Sequence, residues 1–177
     1  MGCACSGGGA DGTPDVSGGG VLMDNGPHSV DIARCLLGPI ERVHALAAPP
    51  IQDLGVEDTA RLHFLTRAGA FGSVDLSWSV DKAGEDYVKV YGTGGTLLLG
   101  WQSSRSRKTG DSEWTRFGSG YQKATAFADL ISNFVGVILG TASPRIEMED
   151  ALASVEVIEA AYRSLAQDTW ASVGEQP

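Results

Sequence analysis

The densest set of reactive side chains lies in residues 18–31, with the sequence G-G-G-V-L-M-D-N-G-P-H-S-V-D. Its titratable members are Asp24, His28 and Asp31, spaced by four and then by three residues. In a helix this spacing places all three side chains on one face, with an acid one turn on each side of the imidazole. Such a histidine suits the uptake and release of a hydroxyl proton. The segment therefore indicates proton transfer at His28, with Asp24 beside it.

A second interpretation assigns the same residues to helix capping. Asp24 or Asn25 would cap a helix that begins at Pro27, because proline suits the first helical position. Asp31 would then lie near the positive end of the helix dipole, and His28 would be an ordinary surface side chain. Spacing alone favours this simpler interpretation and leaves the first one open.

The apolar pattern that follows predicts the elements that position these residues. Apolar residues recur at helical spacing from Val21 to Leu37, and Gly38 before Pro39 is a stop signal. Alternating segments rich in β-branched and aromatic residues then predict five strands. We place them at residues 40–47, 56–66, 70–80, 86–91 and 96–99. Because the links are of hairpin length, including residues 81–84, we expect antiparallel neighbours.

The fold class predicted from these elements is α+β, with an open, largely antiparallel β-sheet and helices packed on one face. Two apolar stripes, Phe127 to Ile138 and Leu152 to Leu165, predict helices that need a sheet to cover. Residues 102–120 are polar and predict an exposed loop with one short edge strand near Trp114. One face of the strand at 70–80 is expected to be buried, and its members are Val74, Leu76, Trp78 and Val80.

Net charge, apolar runs and cysteine spacing disfavour several classes of function. The formal net charge of -9 and the pI near 4.7 disfavour binding to nucleic acids or to anionic membranes. No apolar run approaches the length of a membrane span. The cysteines are Cys3, Cys5 and Cys35, whose spacing predicts neither a disulfide framework nor a metal site. We expect a cytoplasmic protein that binds no metal.

The chain divides into three predicted regions. Residues 1–17 are Gly-rich and predict a disordered segment, residues 18–170 a single folded domain, and residues 171–177 a flexible tail. The glycines at 7, 9 and 12 have the G-x-G-x-x-G spacing, but no buried strand precedes them, so we do not interpret them as a dinucleotide site. Residues 1–6 also have the spacing of an N-myristoylation signal, an alternative that predicts a lipid-anchored protein.

Several segments together resemble one known domain. The run at 18–31, the following A-R-C-L-L-G-P-I, and V-E-D-T-A-R-L-H-F at 56–64 resemble the C-terminal domain of the glucose-fructose oxidoreductase and inositol dehydrogenase family, Gfo/Idh/MocA. The strands G-A-F-G-S-V-D-L-S-W-S and V-K-V-Y-G-T-G-G-T-L and the helix E-D-A-L-A-S-V-E-V-I-E-A-A-Y-R-S resemble later parts of that domain. The resemblance covers residues 18 to about 167, in the order of the family.

This resemblance implies a domain that binds a sugar or polyol substrate and forms a homo-oligomer through its open sheet face. It implies that Asp24 and His28 line the active site, and that Asp31 either orients His28 or holds the helix. It also implies NAD or NADP as the cofactor, bound by a Rossmann domain that precedes this one in the family.

The sequence departs from the family in one respect. Family members carry a Rossmann domain and an E-K-P segment, whereas no lysine among the 177 residues stands between Glu and Pro. We therefore interpret the chain as the truncated substrate-binding and proton-transfer half of an NAD(P)-dependent oxidoreductase. It is expected to bind no cofactor and to be inactive alone unless a separate Rossmann-domain chain completes it. The alternative is a non-catalytic dimerisation or interaction module derived from the family.

Overall fold

A computed structural model describes residues 17–82 and 84–175. Within these ranges the chain forms three helices, α1 (Val21–Leu37), α2 (Lys123–Ile138) and α3 (Met148–Gln167). The strands are β1 (Ile40–Ala47), β2 (Thr59–Thr66), β3 (Phe71–Ser77), β4 (Asp86–Gly92), β5 (Gly95–Gly100), β6 (Ser104–Lys108), β7 (Thr115–Phe117) and β8 (Ala171–Ser172). The described residues divide between two compact units, one of residues 17–80 and 146–175 and one of the described residues from 81 to 145.

The first unit contains a four-stranded antiparallel sheet in the order β3-β2-β1-β8, with α1 and α3 against one face. In its register Leu62 lies opposite both Ala45 and Val74, so the core-facing side chains of neighbouring strands form a row. Helix α3 contributes small side chains to this core, which lets it approach the sheet closely. The buried members are Val30, Ala33, Ile40, Val43, Ala45, Leu62, Phe64, Val157, Ile158, Ala160, Ala161 and Ala171.

Helices α1 and α3 pack against each other through a glycine. A Cβ atom built on Gly26 would lie 2.7 Å from Ile158 Cδ1, closer than real Cβ contacts. Gly26 therefore permits the close approach of the two helices, at the cost of the conformational freedom that glycine carries in a helix.

The second unit contains a four-stranded antiparallel sheet in the order β4-β5-β6-β7. Arg105 on β6 donates to Asp86 on β4 over 2.8 Å, a hydrogen bond across the sheet. Leu98 on β5 is buried. Helix α2 buries none of its residues, so its apolar face is exposed.

The predicted fold class is confirmed, since both sheets are antiparallel and helices cover one face of the first. The strands form two sheets rather than one, and β3 and β4 are not a hairpin because they belong to different sheets. The apolar stripe of α2, predicted to lie under a sheet, is exposed because the strands of its own unit do not cover it.

Three further expectations were wrong in detail. The predicted loop at 102–120 contains β6, whose backbone pairs with β5 although its side chains are polar, whereas the short edge strand predicted near Trp114 is present as β7. Residues 171 and 172 of the predicted flexible tail form β8, which pairs with β1 and buries Ala171. Trp78 and Val80 lie beyond the end of β3 and are exposed, whereas Leu76 is buried as predicted.

The predicted disordered segment 1–17 lies outside the described residues except for Ser17. Among the described helices, none combines the length and the apolar character needed to span a membrane.

Candidate functional site

Helix α1 carries all three predicted site residues. It begins at Val21, so the interpretation in which a helix begins at Pro27 is wrong, and Pro27 lies inside the helix. Asp24 and His28 are exposed, and Asp31 is half-buried. The spacing places them along one helix face, as the first interpretation required.

The first turn of α1 is held by Glu57, which directly precedes the buried Asp58. The backbone N–H groups of Gly20 and Leu22 donate to Glu57 Oε1 over 3.1 and 3.2 Å. Tyr162 on α3 donates its hydroxyl to the same oxygen over 2.8 Å. A carboxylate at the positive end of a helix stabilises it, and here it also joins α1 to α3. The pKa of Tyr162 is raised, chiefly by burial and secondly by this hydrogen bond to Glu57.

The glycines before α1 allow this contact. Gly18 and Gly19 have positive φ values of 72° and 159°, which side-chain-bearing residues rarely adopt. A Cβ atom on Gly20 would lie 1.9 Å from the carbonyl oxygen of Glu57. Backbone geometry and close approach to Glu57 thus explain why residues 18–20 are glycines.

Asp24 is oriented by a contact that local spacing does not predict. Trp78 Nε1 donates to Asp24 Oδ2 over 3.1 Å, and Asn25 Nδ2 donates to the same oxygen over 3.1 Å. Both hydrogen bonds that described residues give to this carboxylate fall on Oδ2, so Oδ1 can accept from a ligand.

Asp31 forms an ion pair with Arg34 one turn along the helix, with 3.8 Å between Oδ1 and Nη1. Arg34 in turn donates to the carbonyl of Asp150 and to Ser154 Oγ on α3, over 2.8 and 3.0 Å. Of the two roles considered for Asp31, this contact favours holding α1 in place. Within residues 17–82 and 84–175, neither Asp24 nor Asp31 is hydrogen-bonded to His28.

Asp58 is a buried carboxylate close to the site that sequence reasoning missed. It is fully buried, and its Oδ2 accepts from the backbone N–H groups of Ile51 and Gln52 and from Ser79 Oγ, over 2.7 to 2.9 Å. Its pKa is lowered, chiefly by the Gln52 hydrogen bond and against the effect of burial. Asp58 therefore fixes the loop before β2 to the turn after β3.

The residues described do not fit a dinucleotide by themselves. A dinucleotide site requires parallel βαβ units with a glycine loop between strand and helix, whereas every strand pair in the described ranges is antiparallel. In the same ranges, no group of three or more His, Cys, Asp or Glu side chains could hold a metal ion.

Comparison with known proteins identifies the domain. A sequence profile of the GFO/IDH/MocA C-terminal domain matches residues 8–98. No curated protein sequence matches the chain significantly. The fold is similar to an NAD binding oxidoreductase from Klebsiella pneumoniae, at 19% identity and a TM-score of 0.81, covering 94% of this chain and 54% of that one.

Two further solved structures share the fold. One is levoglucosan dehydrogenase in complex with NADH and levoglucosan, at 17% identity and a TM-score of 0.81, covering 93% of this chain and 53% of that one. The other is an oxidoreductase from Agrobacterium radiobacter in complex with NAD+, L-tartaric acid and magnesium, at 20% identity and a TM-score of 0.74, covering 87% and 49%. This chain thus spans about half the length of the structures it matches. It belongs to the GFO/IDH/MocA family and comprises the C-terminal domain of that family.

Proposed function

We propose that this chain is the substrate-binding and proton-transfer half of an NAD(P)-dependent sugar or polyol oxidoreductase. The observation that carries the proposal is the exposed pair Asp24 and His28, one turn apart on a helix that Glu57 anchors at its first turn. Levoglucosan dehydrogenase, whose structure contains NADH and levoglucosan, shares the fold and supports the class of substrate.

The chemistry assigned to the pair concerns the proton. Oxidation of a secondary alcohol releases a hydride and a hydroxyl proton, and a neutral imidazole within hydrogen-bond reach can accept the proton. His28 is the base in this proposal. Asp24 accepts a hydrogen bond from a neighbouring hydroxyl through Oδ1, which fixes the sugar or polyol relative to His28. Asp31 holds the helix through Arg34.

In this proposal a Rossmann portion holds the hydride acceptor, since the antiparallel sheets of the described residues do not suit a dinucleotide. NAD or NADP supplies that acceptor when it is bound. We therefore propose that the 177 residues alone are inactive and act together with a nicotinamide-binding Rossmann portion. The exposed, free thiol of Cys35 is compatible with the reducing cytoplasm in which we place the protein.

The test is turnover by the chain joined to a nicotinamide-binding portion of its own family, across a panel of sugars, polyols and simple alcohols. We expect NAD(P)H formation with polyhydroxylated substrates, and a loss of at least tenfold in kcat/KM in Asp24→Ala. The matched control is Glu159→Ala, an exposed acid on the surface of α3. Equal activity in Asp24→Ala and in the control would contradict the proposal.

A second candidate function is self-association through the outer face of the first sheet. Phe71 on β3 is 84% exposed, and Leu46 on β1 and Trp170, whose ring lies 5.8 Å from that of His44 on β1, are about half exposed. Exposed large apolar side chains on a sheet favour a contact site. If this face joins two copies, sedimentation of the chain shows a dimer that Phe71→Ser weakens. A monomer at all concentrations would exclude this function.

A further inference from the structure

Trp78 lies where the first sheet meets the candidate site. It follows the last residue of β3, and its indole N–H is the donor on Asp24 Oδ2 described above. Its side chain is 38% exposed, so part of the ring faces solvent beside the carboxylate. A tryptophan in this position combines an apolar surface with a single directed donor.

The turn that carries Trp78 is fixed by its neighbours. The backbone N–H of Trp78 donates to the carbonyl of Asp58 over 2.9 Å, and Ser79 Oγ donates to the Asp58 carboxylate over 2.9 Å. Ser77 Oγ accepts from the backbone N–H groups of Ser79 and Val80 over 3.1 and 2.9 Å. Residues on both sides of Trp78 are therefore held, which limits where the indole can point.

We infer that Trp78 is a positioning residue for Asp24. Its N–H occupies Oδ2 and turns Oδ1 outward, so that Oδ1 accepts a hydrogen bond from a hydroxyl of the sugar or polyol. The exposed part of the indole ring lies beside this acceptor and offers an apolar surface to the C–H groups of the same substrate. The inference deepens the proposed function and rests on it for the nature of the substrate.

The hydrogen bond itself is tested in the chain without substrate or cofactor. The four tryptophans each give one indole N–H resonance in a ¹⁵N-labelled sample. Trp78→Phe identifies the signal of Trp78 by its disappearance. We expect that signal to shift in Asp24→Ala and to stay unchanged in the control Glu159→Ala, which removes an exposed acid of α3. An unshifted signal in Asp24→Ala would overturn the inference, and Asp24→Ala leaves Trp78 and its turn intact.

The functional consequence is tested by a double-mutant cycle in the chain joined to a nicotinamide-binding portion of its family. Trp78→Phe keeps an aromatic ring and removes the hydrogen-bond donor. Because the lost hydrogen bond is to a charged group, we expect a decrease of about tenfold in kcat. In the Asp24→Ala background the same change should cost less than about twofold, because the group it positions is gone. Trp114→Phe is the matched control, since Trp114 belongs to the second unit and contacts Arg105 and Arg107 on β6.

The two experiments separate the possible failures. If Trp78→Phe costs the same factor in both backgrounds, its role is structural and the inference is wrong. If Asp24→Ala leaves turnover unchanged while the indole resonance still shifts, the proposed function fails although the hydrogen bond exists. If turnover falls in Asp24→Ala and the resonance does not move, the proposed function stands and the role of Trp78 is wrong.

Discussion

Replacing Glu57 by alanine is predicted to destabilise the unit that contains α1 by about 2 to 3 kcal/mol. Glu57 Oε1 accepts three hydrogen bonds, two from the first turn of α1 and one from Tyr162. A hydrogen bond contributes roughly 1 kcal/mol, and one to a charged group more, while water replaces part of each bond at this half-buried position. For a chain of this length the loss corresponds to a decrease in Tm of roughly 4 to 12 °C.

Urea unfolding followed by circular dichroism measures this free energy. Glu57→Gln keeps an acceptor oxygen and loses only the charge at the helix terminus, so its cost should be about 1 kcal/mol or less. Glu159→Ala on the surface of α3 is the control, with an expected change within about 0.5 kcal/mol. A Glu57→Ala variant as stable as the control would refute the conclusion that this carboxylate anchors α1.

Three further predictions concern residues around the site. Because the pKa of Asp58 is lowered in the folded chain, its contribution to stability is present above its ordinary value of 3.8 and is lost as the pH falls through the folded value. Urea unfolding of Asp58→Asn should therefore depend less on pH below about 4 than that of the wild type. Because the pKa of Tyr162 is raised in the folded chain, its contribution to stability is present below its ordinary value of 10.0 and is lost as the pH rises through the folded value. Tyr162→Phe should therefore flatten the alkaline decline in Tm. Gly26→Ala should cost about 1 kcal/mol in urea unfolding, since the clash with Ile158 outweighs the gain in helix propensity, and Ile158→Val should restore part of it. Full stability of Gly26→Ala would show that the helices are further apart than described.

Helices and strands could be predicted from the sequence because the residues that indicate each of them lie close together in the chain. The spacing of Asp24, His28 and Asp31 indicated one helix face, and the stop signal at Gly38 marks the residue after the observed end of α1. Alternation located β1 to β5 to within a few residues. Periods of 3.6 and 2 residues report which side of an element is buried, and the helix and strands follow from them.

Contacts between distant residues could not be predicted in this way. Trp78 is 54 residues from Asp24, and Tyr162 is 105 residues from Glu57. Nothing in the local pattern distinguishes Glu57 from any other acid before a strand. The two-residue strand β8 is too short for alternation to mark, and it exists because β1 offers it a free edge.

Turnover of His28→Gln in the chain joined to a nicotinamide-binding portion tests the central claim most directly. If the imidazole takes the hydroxyl proton, kcat should fall by roughly a hundredfold or more, while Glu159→Ala stays within about twofold of the wild type. Glutamine keeps hydrogen-bonding capacity but cannot accept the proton at neutral pH. A His28→Gln enzyme with the turnover of the wild type would contradict the assignment of proton transfer to α1.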